Sequence, residues 1–521
     1  MTSVFSKRYN WTMGTGVALL SGVVIVGSAM SQGRHDGLAG CSSYTRHGRH
    51  ACAPLNIPDR ARGHSRHRMS ERAEERRQRH ERRHGAADAP DLETTLRTQV
   101  AQAGGAEGLS AFILPDGDDL AQIPQDPRNP LTAEKIELGS LLFHETGIAL
   151  NPVVASDAGT YSCSSCHQAD AGFGAGLVQG LGEGGMGFGP NGSLRTLNPD
   201  IGPKAVDVQP ISTPTALNTA WQSVMLHNGA FGATGPNSGT DYAWADGTPF
   251  AVNRLGYEGL ESQAIAGLAV HRLIDDTAPE TTATSLLTQT EAYVDLFARA
   301  FPDEPQETRV RQETAGLAIA AYERSLIADQ APFQDWLRGD ETALTDRQKL
   351  GASVFFGDGQ CVQCHSGPSL AGMQFAALGL NDLDMTPGTI IKSPDFPEIL
   401  GRGGFTGLEA DMFTFKVPRL YNLRDDVAYG HGSSMNSIRA FLDYMNAGVP
   451  ENPRVPETPL APAFQPLGLD EAELVALTDF IENALYDPNL DRYVPDALPS
   501  GQCFPDNDAA AREDPNSHCP Q

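Results

Sequence analysis

Two short segments combine two cysteines and a histidine at the same spacing: Cys163-Ser164-Ser165-Cys166-His167 and Cys361-Val362-Gln363-Cys364-His365. In a C-x-x-C-H motif, both thiols can form thioethers to the vinyl groups of a haem while the adjacent imidazole ligates the iron. The cysteine pairs could instead build a zinc site or a redox dithiol. Each pair is directly followed by histidine, the motifs lie 198 residues apart, and no βαβ pattern surrounds them. We therefore predict two covalently bound haem c groups.

The elements that must position these motifs are predicted to be mainly helical. Strand-like alternation is scarce, and the helical segments are separated by long connections rich in Gly, Pro and Asn, such as 169–214 and 230–256. Loops of this length need another organiser, which two buried haems would supply. Apolar residues recur at the three- and four-residue spacing of a helix with one buried face in 133–143, 314–328, 345–356, 437–445 and 470–485.

Length and charge divide the 521 residues. Residues 1–90 carry a net charge of +8 and the remainder −35, and so acidic a body repels nucleic acid. A chain of this length accommodates two to four domains. We predict a signal peptide or N-terminal anchor, a disordered Arg/His-rich tether, an N-terminal haem c domain, a C-terminal haem c domain and a tail, at 1–30, 31–90, 91–338, 339–495 and 496–521 respectively.

The N-terminus predicts export. An apolar run from Met13 to Met30 follows Lys7 and Arg8 and ends in small residues, which is the order of a secretory signal. An uncleaved anchor is the alternative, because the run is close to the length of a membrane span. In both cases the body is periplasmic or otherwise exported, with membrane tethering through the N-terminus in the second.

The four cysteines outside the motifs fit an oxidising compartment, where disulfides persist. We expect Cys503 to pair with Cys519 in the tail and Cys41 with Cys52 in the tether.

Five further segments, taken in order, resemble the bacterial di-haem cytochrome c peroxidase superfamily, which also contains the MauG enzymes. The resemblance extends over 131–493 and implies two cytochrome-c-like haem domains, with peroxide reduced at the N-terminal haem and electrons entering at the C-terminal one. The implied partners are hydrogen peroxide and a small electron-donor protein, a cytochrome c or a cupredoxin, and a homodimer is left open. The segments are LGSLLF at 138–143, STPTALN at 212–218, LESQA at 260–264, KLGASVFF at 349–356 and FKVPRLYN at 415–422.

The resemblance also assigns site residues in the C-terminal half. Met445 stands where the peroxidases carry an axial methionine, opposite the proximal ligand His365, and a thioether ligand raises the haem potential. His431 matches a histidine that supports the haem region. The family holds a calcium ion between its haems, and Asp426 could replace a neutral ligand there, since calcium prefers oxygen donors.

The N-terminal site departs from the family. Gln263 matches the family's glutamine, but Leu273 stands where a glutamate shuttles protons. His271 is the nearest titratable group, so with Gln263 it is our candidate for the catalytic acid and base. A ligand to iron and a buried hydrogen-bonded histidine are its other readings.

Two more departures concern the surroundings of that haem. No histidine occurs between His167 and His227, so the family's resting distal ligand is missing from that loop. The family's tryptophan between the haems corresponds to His227, which makes radical storage doubtful; Tyr242, Trp244 and Trp221 are nearby substitutes. Peroxide reduction is therefore the leading hypothesis, with a non-catalytic electron carrier and a MauG-like oxidase of an organic or protein substrate as alternatives.

Overall fold

The computed structural model describes residues 91–202, 205–277, 279–392, 394–456 and 460–520. The predicted signal or anchor, the tether and the Cys41–Cys52 pair lie outside these ranges. Across them, no helix combines the length and the apolar character that crossing a membrane requires.

The described chain is mainly helical, as predicted, and its strands are only two residues long. β1 pairs with β2 and β3 with β4, both antiparallel, at Gly185–Met186, Thr196–Leu197, Phe375–Ala376 and Phe415–Lys416. The helices are α1 (Leu92–Ala103), α2 (Ala133–His144), α3 (Gly259–Val270), α4 (Pro279–Ala283), α5 (Leu286–Gln289), α6 (Glu291–Ala300), α7 (Gln312–Ser325), α8 (Pro332–Leu337), α9 (Asp346–Phe356), α10 (Arg402–Thr406), α11 (Ile438–Ala447) and α12 (Glu471–Asp479).

All five helices expected from the apolar spacing are present, and side-chain caps explain where several begin. Thr132, Thr345 and Ser437 each accept a backbone N–H of the first turn of α2, α9 and α11, which satisfies a donor that the helix itself cannot. The predicted helix over 314–328 ends earlier, at Ser325. Beyond Ser325, hydrogen bonds to Asn218 replace those of the helix. The N–H of Asn218 donates to the Leu326 carbonyl, and its side-chain oxygen accepts from the Ala328 N–H.

Two helix pairs repeat one packing arrangement in the two halves of the chain. α2, which precedes the first motif, crosses α7, and α9, which precedes the second motif, crosses α12. Gly139 of α2 lies directly on the Ala318 carbonyl, and Gly351 of α9 lies on the Ala476 carbonyl. A β-carbon at either glycine would collide with backbone, so each glycine allows the two helices to touch.

The repeat continues beyond the helices. Asn422 has the same left-handed φ as Asn218, 56° against 55°, and its N–H donates to the Leu485 carbonyl as that of Asn218 donates to Leu326. Nine residues after each asparagine stands a histidine, His227 or His431. The two halves are therefore variations on one structural unit.

The two ends of the described chain each pack against the other half. α1 lies on α9 of the second half, whereas the tail lies on the first motif. Ser162 donates to the Pro505 carbonyl at 2.8 Å, and Ser165 donates to Asp506 at 2.5 Å. The tail also contains the disulfide between Cys503 and Cys519 that the sequence predicted.

Candidate haem sites

The first motif forms a short turn that presents His167 for metal binding. Residues Cys163–Ser165 make one 3-10 turn, and the Nδ1 of His167 lies 3.1 Å from the Phe173 carbonyl. When Nδ1–H donates to that carbonyl, the Nε2 lone pair is free for a metal. Burial lowers the pKa of His167 to about 4, so the imidazole is neutral, as a ligand must be.

The second motif has the same geometry. Cys361–Gln363 form a 3-10 turn, and the Nδ1 of His365 lies 3.1 Å from the carbonyls of both Leu370 and Pro418. Burial lowers the pKa of His365 as well. Each motif therefore offers two free thiols and one imidazole with its metal-binding nitrogen available.

A cavity of about 240 Å3, which we call the first cavity, opens beside Cys163, Cys166 and His167. Its other lining includes Gln263, Gly267 and His271, which follow one another at four-residue intervals along and just beyond α3. The predicted catalytic pair, Gln263 and His271, is thus brought together with the first motif.

His271 is held by a carboxylate that the sequence analysis missed. Its Nδ1 lies 2.8 Å from Oδ2 of Asp207, which also lines the first cavity. Burial alone would lower the pKa of His271, but the charge and hydrogen bond of Asp207 outweigh it and raise the pKa. Leu273 is buried, as expected for an apolar side chain, and it lies in the wall of the first cavity.

Two glutamates that no motif indicated also line the first cavity. Glu323 of α7 is buried, and burial raises the pKa of its carboxyl to about 8. Glu398 reaches the cavity from the second half of the chain, and burial raises its pKa too. The only sequence signal for Glu323 is a charged residue on the otherwise apolar face of α7; Glu398 and Asp207 lie in irregular segments that carry no periodic signal.

The second cavity, of about 410 Å3, lies beside Cys361, Cys364 and His365. Met445 of α11 lines it, as expected for a residue facing the second haem. The rest of the helix surface facing this cavity is apolar: Ile438, Phe441 and Leu442.

The same pattern of lining positions relates α3 to α11. Residues 264, 267, 268 and 271, on and just beyond α3, line the first cavity at the spacing with which residues 438, 441, 442 and 445 of α11 line the second. In this register His271 corresponds to Met445. A methyl group added at Gly267 would meet no heavy atom closer than 3.9 Å, and that atom belongs to the His271 ring.

The cavities fit haem because they contain buried polar atoms that have no hydrogen-bond partner among the described residues. Nε and Nη1 of the fully buried Arg419 are such atoms in the second cavity, and Oε1 of Gln263 and Oε2 of Glu323 are such atoms in the first. Buried polar groups normally have partners. The carboxylates of a porphyrin are suitable partners for the Arg419 guanidinium.

His227 lies in the wall that the two cavities share, together with Pro214 and Leu226. Its Nε2 lies 3.0 Å from the Ser212 carbonyl and 3.2 Å from the Ser212 hydroxyl. Burial lowers the pKa of His227 to about 3, so the imidazole is neutral. Tyr242, Trp244 and Trp221, the suggested substitutes for the family's tryptophan, line neither cavity.

Two further predicted residues lie at the second cavity. The His431 ring stacks on Phe415 with centroids 3.7 Å apart, and its Nε2 lies 3.2 Å from Asp382. Burial raises the pKa of Asp426 to about 7, with Arg419 opposing the shift. Within the described ranges no three His, Cys, Asp or Glu side chains form a metal-binding group. Since carbonyl oxygens would supply most ligands of the predicted calcium, that site stays a prediction.

Comparisons with known proteins agree with this arrangement. The family model for di-haem cytochrome c peroxidase matches residues 133–342. The chain is 28% identical to methylamine utilization protein MauG of Methylorubrum extorquens over 377 residues, which are 70% of this chain and 82% of that protein. It is 29% identical to cytochrome c peroxidase Ccp of Escherichia coli over 323 residues, 62% of this chain and 55% of that one.

The fold is also similar to that of a solved structure. The crystal structure of a MauG-like protein associated with microbial copper homeostasis superposes with a TM-score of 0.52 at 21% identity, covering 72% of this chain and 95% of that protein.

Proposed function

The chain belongs to the di-haem cytochrome c peroxidase and MauG superfamily and is a di-haem c-type oxidoreductase, and we propose that it reduces hydrogen peroxide to water. The reaction consumes one peroxide, two electrons and two protons and yields two waters. The electrons come from a small donor protein, a cytochrome c or a cupredoxin.

The six motif residues would hold the two haems. Cys163 and Cys166 would bind one porphyrin through thioethers and Cys361 and Cys364 the other, in two cytochrome-c-like domains with the predicted boundaries. Haem iron supplies reversible electron transfer and a binding position for peroxide oxygen. His167 and His365 would be the proximal ligands, each oriented by the carbonyl that its Nδ1–H contacts.

Electron entry is assigned to the second haem because Met445 lines its cavity. Met445 and His365 would hold the iron of that haem. A thioether together with an imidazole would favour the reduced state and a raised potential, which suits electron transfer.

The observation that carries the proposal is the contrast between His271 and Met445, which line the two cavities at corresponding positions. The imidazole of His271 is paired with the carboxylate of Asp207, and such a pair is suited to proton transfer, whereas the thioether of Met445 is not. An electron carrier with two six-coordinate haems would use His271 as a ligand of the first iron and would need no proton transfer. The contrast therefore favours the enzyme over the carrier.

His271 and Gln263 would act on peroxide in this open position. The imidazole takes the proton from one peroxide oxygen and returns it to the other, which leaves as water. The amide of Gln263 would orient the substrate, because its Oε1 has no hydrogen-bond partner among the described residues. Leu273 contributes no proton transfer.

Peroxide reduction is favoured over MauG-like oxidation by His227. A neutral imidazole in the wall between the cavities is harder to oxidise than the tryptophan of the family, so oxidising power is used at the first haem rather than stored. The proposal also includes export of the protein and a calcium ion at Asp426. Membrane tethering through the N-terminus applies if the apolar run is an uncleaved anchor.

Steady-state peroxide turnover with a reduced small cytochrome or cupredoxin tests this function. We expect His271→Ala and His271→Gln each to lower kcat by about 100-fold, within the usual 10²–10⁴ range for a lost acid or base. Adding Leu273→Glu to His271→Ala should restore part of the rate, because residue 273 lies in the same cavity wall. Unchanged rates in both His271 variants would remove that residue from the mechanism. Wild-type protein that contains both haems but does not consume peroxide would overturn the function itself.

A further inference from the structure

Asp207 belongs to none of the motifs, yet its carboxylate is hydrogen-bonded to the imidazole of His271. The Oδ2 of Asp207 lies 2.8 Å from Nδ1 of His271, and both residues line the first cavity. The Asp207 side chain is only 14% exposed, whereas that of His271 is 35% exposed. Since His271 lines the cavity, haem binding would cover part of this surface.

Both partners are fixed by the backbone around them. The N–H of Asp207 donates to the Glu183 carbonyl at 2.9 Å, and its own carbonyl accepts from Gly182 at 2.8 Å. The N–H of His271 donates to the Gly267 carbonyl at the end of α3, and the Tyr161 hydroxyl donates to the carbonyl of His271. The contact therefore joins two ordered segments.

The nearby cation, Arg272, forms its ion pair with a carboxylate other than that of Asp207. Arg272 follows His271 directly, but its Nε pairs with the buried carboxylate of Glu183. Asp207 is left to accept from His271.

A neutral imidazole with one nitrogen committed as a donor has its other nitrogen defined as an acceptor. We propose that Asp207 is a positioning residue that holds His271 in the Nδ1–H tautomer, with the Nε2 lone pair available to take a proton inside the first cavity. This inference rests on the proposed function and deepens it, because a base must present a lone pair and not an N–H to its substrate. Asp207 itself does not touch the substrate.

Cyanide binding to the oxidised di-haem protein tests this tautomer without turnover. Hydrogen cyanide must lose a proton to bind as the anion, so its association rate at the first haem reports on the acceptor in the cavity. We expect Asp207→Asn to lower that rate at least about tenfold, since an asparagine can donate to Nδ1 and favour the wrong tautomer. Asp207→Glu, which keeps the acceptor, should recover part of the loss.

Asp157→Asn is the matched control. Asp157 is a buried carboxylate near the same segment, where it accepts the Gly184 N–H at 3.0 Å, but it does not line the cavity. Its variant should bind cyanide within about twofold of wild type, with equal haem content.

The outcomes separate this inference from the proposed function. If Asp207→Asn binds cyanide at the wild-type rate while His271→Ala is slow, Asp207 does not position His271, and the peroxidase proposal stands. If His271→Ala also binds at the wild-type rate, His271 accepts no proton, and the acid–base assignment fails together with this inference.

Discussion

The first and second cavities are built on the same frame and differ in the helix that faces the motif. In both, a glycine-mediated helix crossing supports a C-x-x-C-H turn whose histidine is oriented by a backbone carbonyl. Opposite the first motif, α3 presents Gln263, Gly267 and then His271; opposite the second, α11 presents apolar side chains and Met445. Under the proposed function this frame would attach the cofactor, and a few positions on one helix would determine whether its iron reacts or only passes electrons.

The polar groups around the cavities differ in one respect. Carboxyl groups line both cavities, from Asp207, Glu323 and Glu398 in the first and from Asp358, Asp382 and Asp426 in the second, but the second is also lined by the buried guanidinium of Arg419. A guanidinium keeps its charge and serves to bind anions. This contrast therefore concerns anion binding and not proton transfer.

Making the first cavity resemble the second should have the largest effect. Gly267→Met would place a thioether on the face of α3 that lines the first cavity, and we expect the first haem to become six-coordinate and low-spin. Peroxide turnover should fall by at least about 100-fold, as expected when substrate loses its position. Optical and electron paramagnetic resonance spectra of the oxidised protein would report the change of spin state.

Gly267→Ala is the control for this change. Its methyl group has no neighbour closer than 3.9 Å, so turnover and spin state should stay close to wild type. An inactive Gly267→Ala protein would mean that the glycine is needed for reasons other than an open position.

The converse substitution should act more moderately. Met445→Ala removes the proposed ligand of the second haem, and we expect its midpoint potential to fall by on the order of 0.1 V, within the roughly 0.8 V range that axial ligands span. Turnover with the donor protein should fall about tenfold because electron entry becomes less favourable. Potentiometric titration of each haem would measure this.

Met435→Ala provides the comparison, because Met435 packs against the same small apolar cluster as Met445 but does not line the second cavity. Its potential should match wild type. Equal potentials in all three proteins would exclude Met445 as a ligand.

The smallest effect concerns the pH dependence of stability at the first cavity. Burial raises the pKa of Glu323 from 4.5 to about 8, so the folded chain binds this proton more tightly than the unfolded chain. The group's contribution to folding stability is therefore complete below pH 4.5 and is lost as pH rises towards 8. Glu323→Gln, which cannot ionise, should gain a few degrees in Tm relative to wild type between pH 5 and pH 8.

Thermal unfolding of the di-haem protein across this pH range would measure the difference. Glu291→Gln, at an exposed position at the start of α6, should show a constant offset from wild type. A constant offset for Glu323→Gln as well would mean that Glu323 is ionised at neutral pH.

Sequence patterns predict what is periodic or local in this molecule. The apolar spacing indicates α2, α9 and α11 closely, and the two motifs identify the cavities. Asp207 could not be found this way, because it meets His271 across 64 residues of sequence from an irregular loop. The correspondence of His271 and Met445 was also hidden, since it depends on how α3 and α11 face their cavities and not on similar residues.

The contact between the tail and the first motif sets an order for maturation. Ser162 and Ser165 are held by Pro505 and Asp506, some 340 positions further along the chain, so this cover is synthesised well after the motif. Segments fold as they emerge, N-terminal parts first. We therefore expect the two thiols beside these serines to remain accessible to the haem-attachment machinery until residues 505–506 have been synthesised, after which the tail docks and covers the first motif.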